Sequence, residues 1–180
     1  MAAGFFAAGF ADFALMGFHF KAVNLIPEYL IPTFYAVAMA VDAGAALIFG
    51  TLYDKKGFPV LIIAFALAAL FAPFAFLGGP TLALIGLGLW GIGMGAQESI
   101  MRAAVADLAP SEKRGTAFGM FHTYFGLLWW GGSALMGVLY TVHIYALVIF
   151  SVAIQVVAIP VFILANKWRK KELAEAAPAA

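Results

Sequence analysis

Hydrophobic positions along the chain fall into six long runs, separated by short polar or helix-breaking segments. The runs cover residues 2–24, 32–53, 58–77, 81–108, 116–141 and 143–167. Each reaches the roughly 20 residues that cross a 30 Å hydrocarbon layer as a helix. Ile26-Pro27-Glu28-Tyr29, the charged segment 54–57, the breaker Gly78-Gly79-Pro80 and the polar loop 109–115 divide them. The pattern predicts an all-α integral membrane protein of six transmembrane helices. Residues 168–180 form a charged, alanine-rich tail, expected to be disordered.

Composition agrees with the pattern. The 180 residues are 65% hydrophobic and 11% charged, with a mean hydropathy of +1.01. A water-soluble domain of this size needs far more polar surface, so the solvent is lipid. A net charge of +1 gives nucleic-acid binding no electrostatic support. Cysteine is absent, which excludes disulfides and thiolate metal sites. The N-terminal stretch lacks the basic residues of a signal peptide and carries Asp12, so it reads as the start of the first helix.

Charge also orients the bundle. Lys55 and Lys56 follow the second run, Arg102, Lys113 and Arg114 flank the end of the fourth, and Lys167, Arg169, Lys170 and Lys171 follow the sixth. Nine of the ten basic residues therefore share one side, with Lys21 on the other. The positive-inside rule makes that side, both termini included, cytoplasmic, and the expected location is the cytoplasmic membrane. Polar side chains are uneven too. Asp12, His19, Asp42, Gln97, Glu98, Arg102 and His122 sit on helices 1, 2, 4 and 5, whereas helix 3 has no ionisable residue or amide. Helices 1, 2, 4 and 5 are expected to surround an interior or interface, and 3 and 6 to face lipid.

The stretch Gly50-Thr51-Leu52-Tyr53-Asp54-Lys55-Lys56-Gly57 reads as a tight loop in water, with Gly57 taking positive φ. It resembles the loop signature of the major facilitator superfamily, G-x-L-x-D-R/K-x-G-R/K; Gly50, Leu52, Asp54, Lys55 and Gly57 match, and Phe58 replaces the usual basic residue. The run from Asp107 to Gly119 resembles the family's loop between the fourth and fifth helices of a half, and Phe10-Ala11-Asp12-Phe13 with Asp42 is more like a C-terminal half. The resemblance implies one six-helix half of a transporter fold, a small-molecule substrate and no cofactor. It also implies a second half across a pseudo-twofold axis. A lone half would leave Asp12 and Asp42 facing lipid at about 2.5–3.5 kcal/mol each. A parallel homodimer is therefore expected, or a separately encoded N-terminal half. Carried over, Asp54 would meet the start of the partner's helix 5 near Gly115, beside Arg114, as a cytoplasmic latch.

Candidate site residues follow from buried polarity. Asp12 and His19, seven apart, share a face of an unbroken helix 1. Asp12, His19 and Asp42 are candidate proton or substrate sites, weighed against structural hydrogen bonds. Glu98 and Arg102 are spaced i, i+4 and either form an ion pair or join His122 in a coupling network. Trp90, Met94, Gln97 and Met101 form a stripe that suits a cavity wall or a packed core. His122, Gly126, Trp129, Ser133 and Gly137 share a face of helix 5 and suit dimer packing, with Trp129 a candidate cavity residue. Gly86-Leu87-Gly88-Leu89-Trp90-Gly91 matches G-x-G-x-x-G but has no preceding strand, so nucleotide binding is rejected. Gly131-Gly132-Ser133-Ala134 is a poor match to the serine turn of an intramembrane protease, and no enzyme is expected. Without a phosphate-binding loop, the implied activity is secondary transport of a small solute by alternating access, with protons a candidate coupling ion.

Overall fold

The computed structural model describes residues 2–176, and among them every regular element is helical. Five stretches are long and apolar enough to cross a membrane: Ala3–Ala22, Glu28–Lys56, Phe58–Leu77, Ser111–Val142 and Ile144–Trp168. The remaining expected span, from Pro80 to Leu108, is also helical but not uniformly so.

The first expected helix is broken in two. α1 covers Ala2–Ala8 and α2 covers Phe13–Ala22, with an extended stretch between them. Gly9 disfavours helix, and Asp12 is a residue type that precedes helices; its backbone is extended, with φ −69° and ψ 149°. The break frees backbone carbonyls that have no water to turn to in a bilayer. Ser151 Oγ donates to the Gly9 carbonyl at 2.6 Å, and Gln155 Nε2 donates to the same oxygen at 3.0 Å. Trp90 Nε1 donates to the Ala11 carbonyl at 2.8 Å. Three side chains from two distant helices thus hold the non-helical segment.

α3 (Ile31–Lys56) runs straight through Asp54, Lys55 and Lys56, so these residues end a helix rather than forming a loop. Basic side chains suit the negative end of the helix dipole, which explains the extension. The turn itself is Gly57 alone, with the predicted positive φ at 69°. The third expected span is divided into α4 (Phe58–Ala68) and α5 (Phe71–Leu77). Pro73 accounts for that break: it cannot donate to the Ala69 carbonyl and its ring crowds that group. α6 (Pro80–Ala96) passes into a π turn at Gln97–Met101 and then α7 (Arg102–Leu108). α8 spans Arg114–Val142 and α9 spans Ile144–Ala176. α9 continues past Lys167 through most of the expected disordered tail, whose Lys, Glu, Leu and Ala residues are strong helix formers. Residues 177–180 of that tail lie outside the described residues.

α1 packs between α8 and α9, and α6 packs between α3 and the α4–α5 pair. The core is aromatic. Phe6 stacks on Phe65 with ring centroids 3.8 Å apart, Phe65 meets Phe162 at 5.2 Å, and Phe10 meets Phe71 at 5.2 Å and Trp90 at 5.7 Å. In lipid such contacts act through close packing, because the tails outside are as apolar as the core. The third span, expected to face lipid, is 56% buried over its most apolar window. Lack of polar groups permits lipid exposure but equally permits burial, and Phe58, Leu61, Phe65 and Phe71 take the second course. The polar-bearing α3 and α8 spans are only 11% buried within the chain.

Gly132 is the closest approach between α8 and α1, facing the backbone of Ala8. A methyl there would collide with the Ala8 carbonyl group, which cannot rotate away. Gly132→Ala is therefore expected to cost about 1–3 kcal/mol, read as a lower thermal midpoint in detergent. Gly88→Ala, where the added carbon meets nothing within 4 Å, is expected to be neutral or slightly stabilising; equal midpoints for the two variants would refute the packing. Replacing Trp90 by Phe keeps the ring but strands the Ala11 carbonyl, at an expected cost of about 0.6–2 kcal/mol. A Trp90→Phe midpoint at or above that of the parent would show that this bond does not hold the break.

Candidate functional site

A cavity of about 270 Å³ opens between the π turn and α8. Gln97, Glu98 and Arg102 line it from one side, and His122, Gly126 and Trp129 from the other. Met94, Met101, Phe121 and Phe125 complete the wall. Met94, Gln97, Glu98, Met101 and Arg102 share one face around the π turn, and all line this space. Wide turns of this kind recur at functional sites because they re-aim side chains.

The polar groups are oriented but incompletely partnered. Gln97 is buried, and its Nε2 donates to the Gly93 carbonyl at 3.2 Å, which fixes the amide and leaves Oε1 with no partner. Trp129 Nε1 is likewise buried without an acceptor. Its ring is held edge-on to Phe125 at 5.6 Å and to Phe10 at 6.3 Å. His122 lies against Phe121 at 5.2 Å and stacks with Phe118 at 6.2 Å. Buried donors and acceptors without partners cost free energy in an apolar setting, and these two atoms lie closed off behind the cavity wall.

Glu98 and Arg102 both face the cavity but do not pair with each other. Among the described residues the one ion pair is Lys21–Glu28, at 2.5 Å and fully outside this region. The expected i, i+4 ion pair is thus absent, and both charges remain exposed. Of the expected helix 4 stripe, Met94, Gln97 and Met101 reach the cavity, whereas Trp90 turns to the helix 1 break and is buried there.

The remaining candidates lie elsewhere. Asp12 is exposed in the extended stretch before α2, with no side-chain capping bond. His19 is buried, and its Nδ1 lies 3.0 Å from the Tyr140 hydroxyl, with the Phe76 ring at 5.2 Å. The break therefore overturns the shared helical face of Asp12 and His19: one points to solvent or a partner, the other into the bundle. Asp42 is half-buried on α3 where its backbone packs against Gly95; its Oδ1 has no partner, and it lies within electrostatic reach of Glu98. A carbon added at Gly50 would lie 3.9 Å from the Ser99 side chain, so α3 runs close to the π turn there. Asp54, Lys55 and Arg114 are exposed at helix ends around the same end of the bundle, and Gly57 marks the turn.

Phe121 and Phe125 were not singled out by sequence reasoning, although their i, i+4 spacing placed them on one face beside His122. Ser151 and Gln155 are isolated polar residues within the sixth apolar run, and nothing in their spacing points to the Gly9 carbonyl. An added carbon at Gly126, on the cavity side of α8, or at Gly137 meets nothing within 4 Å.

The sequence profile described as Major Facilitator Superfamily matches residues 1–133. Uncharacterized protein Rv2265 of Mycobacterium tuberculosis and uncharacterized protein Mb2288 of Mycobacterium bovis are each 38% identical to this chain over 151 residues. That stretch is 84% of this chain and 37% of either relative, so the chain spans well under half the length of the curated relatives it matches. No solved structure matches it. A profile match over most of the residues, on an all-helical chain of membrane-spanning length, has one consequence: the chain belongs to the major facilitator superfamily, a family of multi-pass membrane transporters.

Proposed function

We propose that this chain is half of a secondary active transporter for a small organic solute, with the cavity between the π turn and α8 as part of its substrate path. The observation that carries the reading is a cavity of about 270 Å³ lined by the unpaired charges of Glu98 and Arg102, His122 and an aromatic and thioether wall. A second bundle covers α3 and α8, the two spans least buried in this chain, and alternating access comes from rocking of one bundle against the other. In the first reading that second bundle is another copy of the chain, related by a twofold axis along the membrane normal. The basic residues favour cytoplasmic ends in the cytoplasmic membrane. The greater length of the mycobacterial relatives favours a second reading, in which a distinct six-helix bundle supplies the other half.

Proton coupling falls to Asp42. Its Oδ1 has no hydrogen-bond partner, and a half-buried carboxyl within a membrane span is suited to exchanging a proton. Asp54 latches the cytoplasmic end against the start of the partner's α8, near Arg114 and Gly115.

Uptake of labelled sugars, organic acids and amino acids into proteoliposomes tests the transport reading. Stimulation of one class by an inward proton gradient is expected, and no uptake of any class above empty vesicles would contradict it. Asp42→Asn is expected to abolish the gradient's stimulation while leaving downhill exchange measurable; unchanged stimulation would remove Asp42 from coupling. Asp54→Asn is expected to slow uptake at least tenfold, and unaltered uptake would argue against the latch.

A further inference from the structure

The cavity's lining carries more information than its size. Glu98 and Arg102 face it with opposite charges and no ion pair between them. The formal charges of Glu98 and Arg102 cancel. A purely cationic ligand would gain Glu98 and be repelled by Arg102, and a purely anionic ligand would meet the reverse. A zwitterion satisfies both. Between these groups the wall is aromatic and thioether-lined, by Phe121, Phe125 and the two methionines. Such surfaces suit a flat apolar body, and methionine adapts to irregular shapes. At about 270 Å³ the cavity lies just under the range of about 300–1,000 Å³ that takes drug-sized ligands.

We propose that this cavity binds a small zwitterion with an apolar or aromatic body, of the α-amino acid type. The ammonium is held by Glu98, the carboxylate by Arg102, and the side chain by Phe121 and Phe125. The inference rests on the reading of this cavity as part of the substrate path, and it names the class of solute. No covalent step is involved. Pairing of Glu98 with Arg102 in the unliganded protein is avoided, so neither charge has to be pulled from its partner when the ligand arrives.

Calorimetric titration of the purified chain in mild detergent tests the inference with three probes. L-phenylalanine carries both charges, phenethylamine only the cation and 3-phenylpropionate only the anion. L-phenylalanine is expected to bind at least tenfold more tightly than either analogue. Glu98→Gln is expected to erase its advantage over 3-phenylpropionate, and Arg102→Gln its advantage over phenethylamine. Equal binding of all three probes, no binding of L-phenylalanine, or variants that fold normally yet weaken every probe alike would overturn the inference. The comparison of probes on the parent chain stands even where a variant fails to fold. The transport reading fails separately: charge-selective binding without uptake into proteoliposomes would sink transport and keep the zwitterion site. Uptake of a sugar or organic acid with no L-phenylalanine binding would do the reverse.

Discussion

The structure depends on satisfying two backbone carbonyls in a place where water is absent. The extended stretch at Gly9–Asp12 divides the first helix, and in hydrocarbon each unpaired backbone group costs several kcal/mol. Ser151 and Gln155 bind one freed carbonyl, Trp90 the other. Those bonds tie the N-terminal segment to α6 on one side and α9 on the other. They also hold Phe10 in the centre of the bundle, fully buried against Phe71 and Trp90. A break that would otherwise be a defect becomes the joint at which three helices meet.

The joint divides the bundle by function. Trp90 is committed to it, so the upper part of α6 is core. One turn below, Gly93 accepts from Gln97, the helix widens, and the same element becomes a cavity wall. Trp129 links the two regions, with its ring against Phe10 and its N–H without a partner. The aromatic core thus fixes one wall of the cavity, while α8 supplies the other from a helix little buried within the chain. A rigid wall opposite an exposed one is a geometry suited to rocking of one bundle against another.

Much of this was legible in the sequence, and the failures share a cause. Long apolar runs located the spans because helix length against bilayer thickness is a strong constraint. Gly57 was correctly read as the positive-φ turn, since a glycine after charged residues and before a proline-started helix leaves few alternatives. The signature around Asp54 and the loop after Asp107 pointed to the family that the profile match establishes. Glu98, Arg102 and His122 were expected near one another and all three line one cavity, whereas Gln97, read as part of a separate stripe, lines it too. What periodicity missed were interruptions inside apolar runs. At Gly9 and at Ala69 the composition stays apolar while the backbone departs from α-helix, and at Gln97–Met101 the polar residues keep a helical spacing that hides the π turn. Asp12 ahead of Phe13 was a readable helix-start signal, hidden by the expectation of an unbroken span. The absent Glu98–Arg102 ion pair has the same origin, because i, i+4 reasoning assumes the regular helix that the π turn replaces. Burial of the third span could not be read from polarity, since a lipid-facing helix and a core helix have the same composition in a membrane.

The account's central claim is that α3 and α8 are covered by another bundle, in the first reading a second copy of this chain. The most direct test is the mass of the purified protein in mild detergent by light scattering, with the detergent contribution subtracted. The account predicts twice the chain mass of 19.1 kDa, unchanged on dilution over the working range. A stable particle of one chain mass would contradict the homodimer.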